Sequence, residues 1–551
     1  MSHLFCLLLL IAAPAEGAKP AAPPDTVVVC PEEFKPALAP WIEHRQAQGR
    51  VLAFVSNLKS AEEIRDEIRA IAKQGGLRFV VLVGDAEPNM EQDAKIRKRC
   101  VPTHLAPAKV NVRWGSEPEI ATDNWYADLK DNGVPDVAIG RLTPDTPEEL
   151  RVIVKKILNY ENSTDFGPWR GKASFIAGVG GFGQVTDSVL ENGAKKLITL
   201  GVPSSYVTTL TNASWQSPYC PPPSAFCDAA CERMSEGCLV WCYIGHGAPH
   251  GLDYVRVPGN WYPIMNCEDC TRLNCTHCGP IALFLACYTG AFDNPRDCLA
   301  EELLRTEGGP IAIIAGSRET MPYGMAVLGQ ELMDECFRRH RETVGELLLK
   351  AKQNSVSFSK QFTPKRLITD GIASVASNSP FVRVGSVEGF SAFLAPSPVS
   401  LEAERMEHLQ LMNLIGDPLL RIRYPREIAL QTPARANAGD KIEVRGTCAV
   451  DGPCEVELIC RRDLLRFTPS ERAEYQRDEK SQTAEFQATY AKANDTRWAV
   501  QPATVNDGKL QMTLEIPKEA RGACHVRVFV QGEKDFALGA SDIQIAPAKP
   551  R

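Results

Sequence analysis

Residues 239–293 constrain this chain more than any other stretch. They open with LVWCYIGHGAPHG and close with GPIALFLACYTGAFD. Leu239 to Ile244 and Ile281 to Ala286 are short apolar runs bounded by turn residues, the pattern of buried strands in an α/β sheet. Each run ends on a reactive side chain. His246, between Gly245 and Gly247, follows the first, and Cys287 follows the second directly. Groups at the carboxyl ends of neighbouring strands in an open parallel sheet converge in one crevice, where ligands bind. A cysteine becomes a useful nucleophile beside a base or a positive charge, and imidazole supplies either near neutral pH. The two glycines let the backbone approach a substrate and leave the Gly247 amide to act with that of Cys287 on a developing oxyanion. The plainer alternative is a small core cysteine after a strand and an ordinary loop histidine.

YIGHG followed by ACYTGAF resembles the gingipain-type cysteine peptidases, relatives of the caspase and legumain group, which keep His-Gly and Ala-Cys at two strand ends. VVLVGD at 80–85, TDNWYADL at 122–129, VAIGRL at 137–142, IAIIAGS at 311–317 and LIGDPLLR at 414–421 resemble segments of that family in the same order. The resemblance spans about residues 27–425, and its specificity lies in the ordered set. It implies a caspase-like catalytic domain of two α/β subdomains. The implied activity is that of an exported cysteine endopeptidase acting on protein or peptide substrates through a Cys287–His246 dyad and an acyl-enzyme.

The same resemblance places Asp187 where arginine-specific members hold the acid that binds a basic side chain, which implies cleavage after Arg or Lys; an ordinary helix N-cap is the alternative. It makes Ser317, Tyr323 and Gly324 lining candidates for that pocket, against a simple strand-to-helix loop. The acid that steadies the histidine in some members falls near Gly180, so a dyad is expected rather than a triad. Two other readings stay open: a sortase-like transpeptidase on the same fold, and a catalytically silent surface or binding protein.

At 551 residues the chain is too long for one core. A net charge of −7 argues against nucleic acid as a partner. Residues 1–18 read as a signal peptide, with an apolar run from Leu4 to Ala13 and small residues at Ala13, Ala15 and Ala18. No later stretch reaches about 18 uninterrupted apolar residues, so no transmembrane segment is expected. The reading is an exported protein: secreted, periplasmic or at the cell surface. Residues 19–25 form a proline-rich spacer. Strand and helix patterns then alternate, giving an N-terminal α/β subdomain at 26–165 and a catalytic α/β subdomain with a parallel sheet at 166–425. A Cys-rich insertion occupies 214–280. From Arg426 the pattern changes to short alternating runs such as KIEVRGTC and CHVRVFVQG, an immunoglobulin-like β-sandwich at 426–546 interrupted by a charged insertion at 463–500.

Nineteen cysteines fit an exported protein that uses disulfides. Without Cys6 of the signal and with Cys287 kept as a thiol, an odd number remains, so at least one more is free, ligates metal or pairs between chains. Cys267, Cys270, Cys275 and Cys278 form two Cys-x2-Cys steps, for which zinc and disulfides are equal alternatives. No organic cofactor is implied. The family resemblance makes Asp123, with its neighbours Asp128, Asp131 and Asp136, a candidate for structural calcium, against a solvated acidic loop. Asp85, after the third strand, either lines a crevice or caps a turn.

Overall fold

The computed structural model describes residues 22–178, 194–195, 198–275, 279–357, 400–477 and 479–548. Ten strands build one sheet: β1 (Thr26–Val29), β2 (Leu52–Val55), β3 (Phe79–Val83), β4 (Ala138–Leu142), β5 (Lys172–Gly178), β6 (Val207–Asn212), β7 (Val240–Gly245), β8 (Ile281–Leu285), β9 (Ala312–Gly316) and β10 (Met412–Gly416). They lie side by side in the order β2-β1-β3-β4-β10-β9-β8-β7-β5-β6.

Alternation along the strands sorts side chains to two faces. Val28, Phe79, Val81 and Val83 pack with Leu38 and Trp41 of helix α1 (Lys35–Ala47) and with Leu150, Ile153 and Ile157 of the helix Pro147–Asn162 on the same face. Val27, Val29, Val80 and Leu82 turn the other way, onto Ile64 and Ile68 of the helix Ala61–Ala72. Both of these later helices start on a capping box, Ser60 with Glu63 and Thr146 with Glu149, so their first amides are satisfied locally.

The two halves of the sheet meet at β10. Parallel pairing was expected throughout, but β10 runs antiparallel to β9 along all five of its residues and touches β4 at a single pair, Ile415 with Arg141. A Cβ on Gly140 would lie 2.4 Å from the Gly416 carbonyl, so this crossing requires glycine. The turn after β10 is tied from across the domain. The buried Asp417 carboxylate accepts the Trp41 indole N–H at 2.5 Å and the Arg45 guanidinium at 2.6 Å, and Arg45 also pairs with Glu161 at 2.8 Å. That is the work of the LIGDPLLR segment.

From Arg426 the chain builds a sandwich of eight strands: β11 (Arg426–Gln431), β12 (Arg435–Asn437), β13 (Lys441–Cys448), β14 (Gly452–Cys460), β15 (Arg497–Val505), β16 (Lys509–Glu515), β17 (Gly522–Gln531) and β18 (Phe536–Ala546). Strand β11 pairs with β18 at Arg426 and Glu427, then with β13 from Ile428 onward, and so passes between the two faces of the sandwich. Ile442, Val444, Leu510 and Leu514 meet Val456, Leu458, Val526 and Val528 in the core between them.

Between β14 and β15 the chain leaves the sandwich and lies on the domain built around the ten-stranded sheet, with a helix at Lys480–Asn494. The Asn494 side chain both accepts from the Leu210 amide (2.8 Å) and donates to the Leu210 carbonyl (3.0 Å), replacing a neighbouring strand at the β6 edge. Arg462 donates to the carbonyls of Val202, Pro203 and Tyr206, and Arg472 to those of Trp215 and Ser217. Among the described residues no helix is long and apolar enough to cross a membrane.

Candidate active site

Strands β7 and β8 are adjacent and parallel, with Ile244 opposite Leu285. His246 and Cys287 each lie two residues beyond that pair, so both follow neighbouring strands at the carboxyl edge of the sheet. Gly247 closes the gap between them. A Cβ there would lie 2.6 Å from the Cys287 carbonyl oxygen and 3.1 Å from the Ala286 Cβ, so only glycine brings this backbone against the end of β8.

The histidine is held from below. The hydroxyl of Tyr243, a residue with no exposed surface, donates to the His246 carbonyl at 2.7 Å. The ring reaches that position because Gly178 and Gly245 leave room; a Cβ on either would lie 2.1 or 2.7 Å from the same hydroxyl. His246 itself is exposed to solvent.

Cys287 is half-buried and enclosed by Thr320. Its Sγ lies 3.4 Å from the Thr320 hydroxyl and 3.7 Å from the Thr320 carbonyl, and it accepts from the Thr320 amide at 3.3 Å. Burial pushes the thiol above its ordinary value, while the Thr320 hydroxyl and amide draw it down. The next residue, Tyr288, has φ of +57°, a left-handed conformation rare outside glycine, at the point where the strand turns sharply behind the thiol. Its amide donates to the Arg318 carbonyl and its hydroxyl to Glu117 at 2.9 Å.

The other sequence candidates are placed differently. Ser317 is fully buried, its hydroxyl donating to the Ala121 carbonyl at 2.7 Å. Tyr323 is buried, with its hydroxyl accepting from Arg405 at 3.2 Å. Gly324 donates its amide to Glu404 and lies against His408, where a Cβ would sit 2.3 Å from Nδ1. These three therefore support the wall from within rather than line it. Asp187 and Gly180 lie outside the described residues.

What the sequence did not single out is a second set of acids beside the thiol. Glu319 precedes Thr320; burial raises its carboxyl above the usual range, Glu117 adds to that, and His246 acts in the opposite sense. Glu117 comes from a loop two hundred residues upstream in folding terms, and no periodicity marks it.

For metal ions, Asp123 is committed elsewhere: both of its oxygens receive the buried Arg141 guanidinium, at 2.8 and 2.6 Å. Among the described residues, the carboxylates that do share one ligand-sized space are Asp85 with Asp297 and Glu301, and Asp85 with Glu87 and Asp145. Burial raises Asp85 to about 6 and holds the Glu301 carboxyl, hydrogen-bonded to Asp85, well above the usual carboxylate range. Two guanidiniums contact them: Arg305 pairs with Asp145 at 2.9 Å and Asp297 at 2.6 Å, and Arg99 pairs with Glu87 and, at 3.8 Å, with Asp145. An oxygen-rich, acid-excess site of this kind suits a hard cation.

No three of the described cysteines share such a space. Cys267 and Cys270 lie on a 3-10 turn packed near Cys231, Cys275 donates its amide to the Gly308 carbonyl, and Cys278 lies outside the described residues. No disulfide joins two of the described cysteines; Cys460 and Cys524 stand directly opposite each other on β14 and β17.

Comparison with known proteins follows the same lines. The model for peptidase family C25 matches residues 19–423. The crystal structure of the Arg-specific cysteine proteinase gingipain R aligns with a TM-score of 0.51 at 17% identity, covering 95% of this chain and 98% of that one. The complex of the pro- and mature domains of RgpB from Porphyromonas gingivalis aligns with a TM-score of 0.50 at 18% identity, covering 95% of this chain and 100% of that one. At such identities the structural likeness is one of fold. No curated protein matches the sequence.

Proposed function

The chain belongs to peptidase family C25 and is a cysteine endopeptidase, and we propose that Cys287 is its nucleophile and His246 its acid–base partner. The observation that carries this is the register of β7 and β8, which sets the two residues level on neighbouring strands with Gly247 packed between them. The thiol, raised by burial, needs a neighbouring imidazole to give up its proton. The sulfur then attacks the scissile carbonyl carbon, and the Gly247 and Cys287 amides receive the negative oxygen. His246 protonates the leaving amine as the C–N bond breaks, and water hydrolyses the acyl-enzyme.

The finer assignments rest on the sequence. Cleavage after Arg or Lys, with Asp187 as the acid that binds the basic side chain, follows from the family resemblance, and export follows from the apolar leader at residues 4–13. Structural calcium belongs at Asp85, Asp297 and Glu301, where it would tie the end of β3 to the segment that follows the nucleophile.

The test is labelling of the purified protein, with calcium supplied, by a peptidyl-arginine acyloxymethyl ketone, beside Cys287→Ala and an uncharged analogue. Labelling that needs both Cys287 and arginine is the expected result. Labelling by the uncharged probe alone removes the basic preference and keeps the nucleophile. Labelling that survives Cys287→Ala overturns the assignment.

A further inference from the structure

A cavity of about 500 Å³ opens beside the reaction centre, reaching from Gly247 across Tyr288 to Asp293, Glu117 and Arg318. Its charges do not cancel. Arg318 is held by Asp293 through two bonds of 2.7 and 2.5 Å and donates further to the carbonyls of Ser317 and Glu119. Asp293 is thereby neutralised. Glu117 lies 3.6 Å from the Arg318 Nε, beyond hydrogen-bond reach, and its side chain is 54% exposed. Its Oε2 accepts the Tyr288 hydroxyl, which fixes the carboxylate at the cavity wall. The cavity wall therefore carries two acids, Asp293 and Glu117, for one guanidinium.

The loop that presents Glu117 is held from within. The Glu407 carboxylate accepts three successive amides, those of Lys109, Val110 and Asn111, at 2.6, 2.8 and 2.7 Å. The Asn111 side chain then donates to the Glu319 carbonyl at 3.0 Å, coupling this loop to the segment that encloses Cys287. Binding groups positioned before the ligand arrives lose less freedom on binding.

We propose that this cavity is a substrate subsite for a positively charged side chain flanking the scissile bond, and that Glu117 is the residue that selects it. The inference rests on the peptidase reading. It assigns a contact separate from Asp187, on a different loop.

The experiment reads binding without turnover. Cys287→Ala protein is titrated with fluorescein-labelled decapeptides in which a single Lys, or Gln as its neutral counterpart, is walked through each position, and affinity is measured by fluorescence anisotropy. At one position next to the site, Lys is expected to bind about tenfold tighter than Gln at low salt, with the difference shrinking as salt rises. Adding Glu117→Gln should collapse that ratio, and Glu117→Lys should turn it in favour of a peptide carrying Glu. A ratio near one in the parent protein, or a Lys preference that neither Glu117 variant alters, overturns the proposal. Hydrolysis of the same peptides by the unmutated chain is scored separately, so loss of the subsite and loss of the peptidase assignment give different results.

Discussion

Thr320 and Tyr243 show how much of the site is settled by single side chains. The Thr320 hydroxyl and amide both stabilise the thiolate of Cys287 against the cost of burial. Thr320→Val removes the hydroxyl and leaves the amide, so the thiol's value rises further. Alkylation of Cys287 near pH 7, followed by peptide mass spectrometry, should slow about tenfold and its pH profile should move to higher pH. Tyr243 acts one step further back, through the His246 carbonyl. Tyr243→Phe should lower kcat by about tenfold and leave KM nearly unaltered, because the substrate's contacts remain while the imidazole loses its fixed position. A fall in both, with a lower Tm, would mark Tyr243 as a packing residue only. His246 and Cys287 were legible in the sequence because each ends an apolar run. Thr320, Tyr243 and Glu117 were not, because their roles depend on which distant backbone they meet and leave no local pattern.

At the level of elements, the end of β3 and the helix Leu299–Arg305 share a cluster of acids, Asp85 with Asp297 and Glu301, beside their common apolar core. Asp85 has a folded value near 6, above the ordinary carboxyl value near 3.9. A carboxyl raised on folding binds more protons in the native state, so metal-free stability falls as pH rises from about 4 through about 6 and stays low above that. Calcium at the proposed site would compete with those protons. It should therefore raise Tm strongly at pH 7.5 and weakly at pH 5, and Asp85→Asn should abolish the gain while raising the Tm of the metal-free protein. The sequence offered Asp85 as a crevice or turn residue and Asp123 for calcium. It could not distinguish them, since the deciding fact is that Arg141 folds onto Asp123 and Glu301 onto Asp85. Elements themselves read well, because strand alternation and helix caps are local. The helix Leu299–Arg305 begins on such a local cap, with Cys298 at its N-cap and the Cys298 amide donating to Glu301.

For the whole molecule, the decisive contact is the buried ion pair that fastens the chain after β10 to the first helix. Asp417→Asn leaves Arg45 and the Trp41 indole facing a neutral amide in a dry core, a loss of about 3–5 kcal/mol. Urea unfolding should show the whole catalytic domain destabilised, since Asp417 bridges both halves of its sheet; a change confined to the sandwich would contradict that. The insertion between β14 and β15 binds the sandwich to the opposite edge, at β6. The strand that joins the halves comes late in the chain, more than a hundred residues after Cys287. During synthesis the ribosome therefore releases the nucleophile and the histidine well before Met412 emerges to close the sheet. The nascent enzyme holds its reactive thiol for that interval on a half-built scaffold, and the order of translation itself delays the first competent active site.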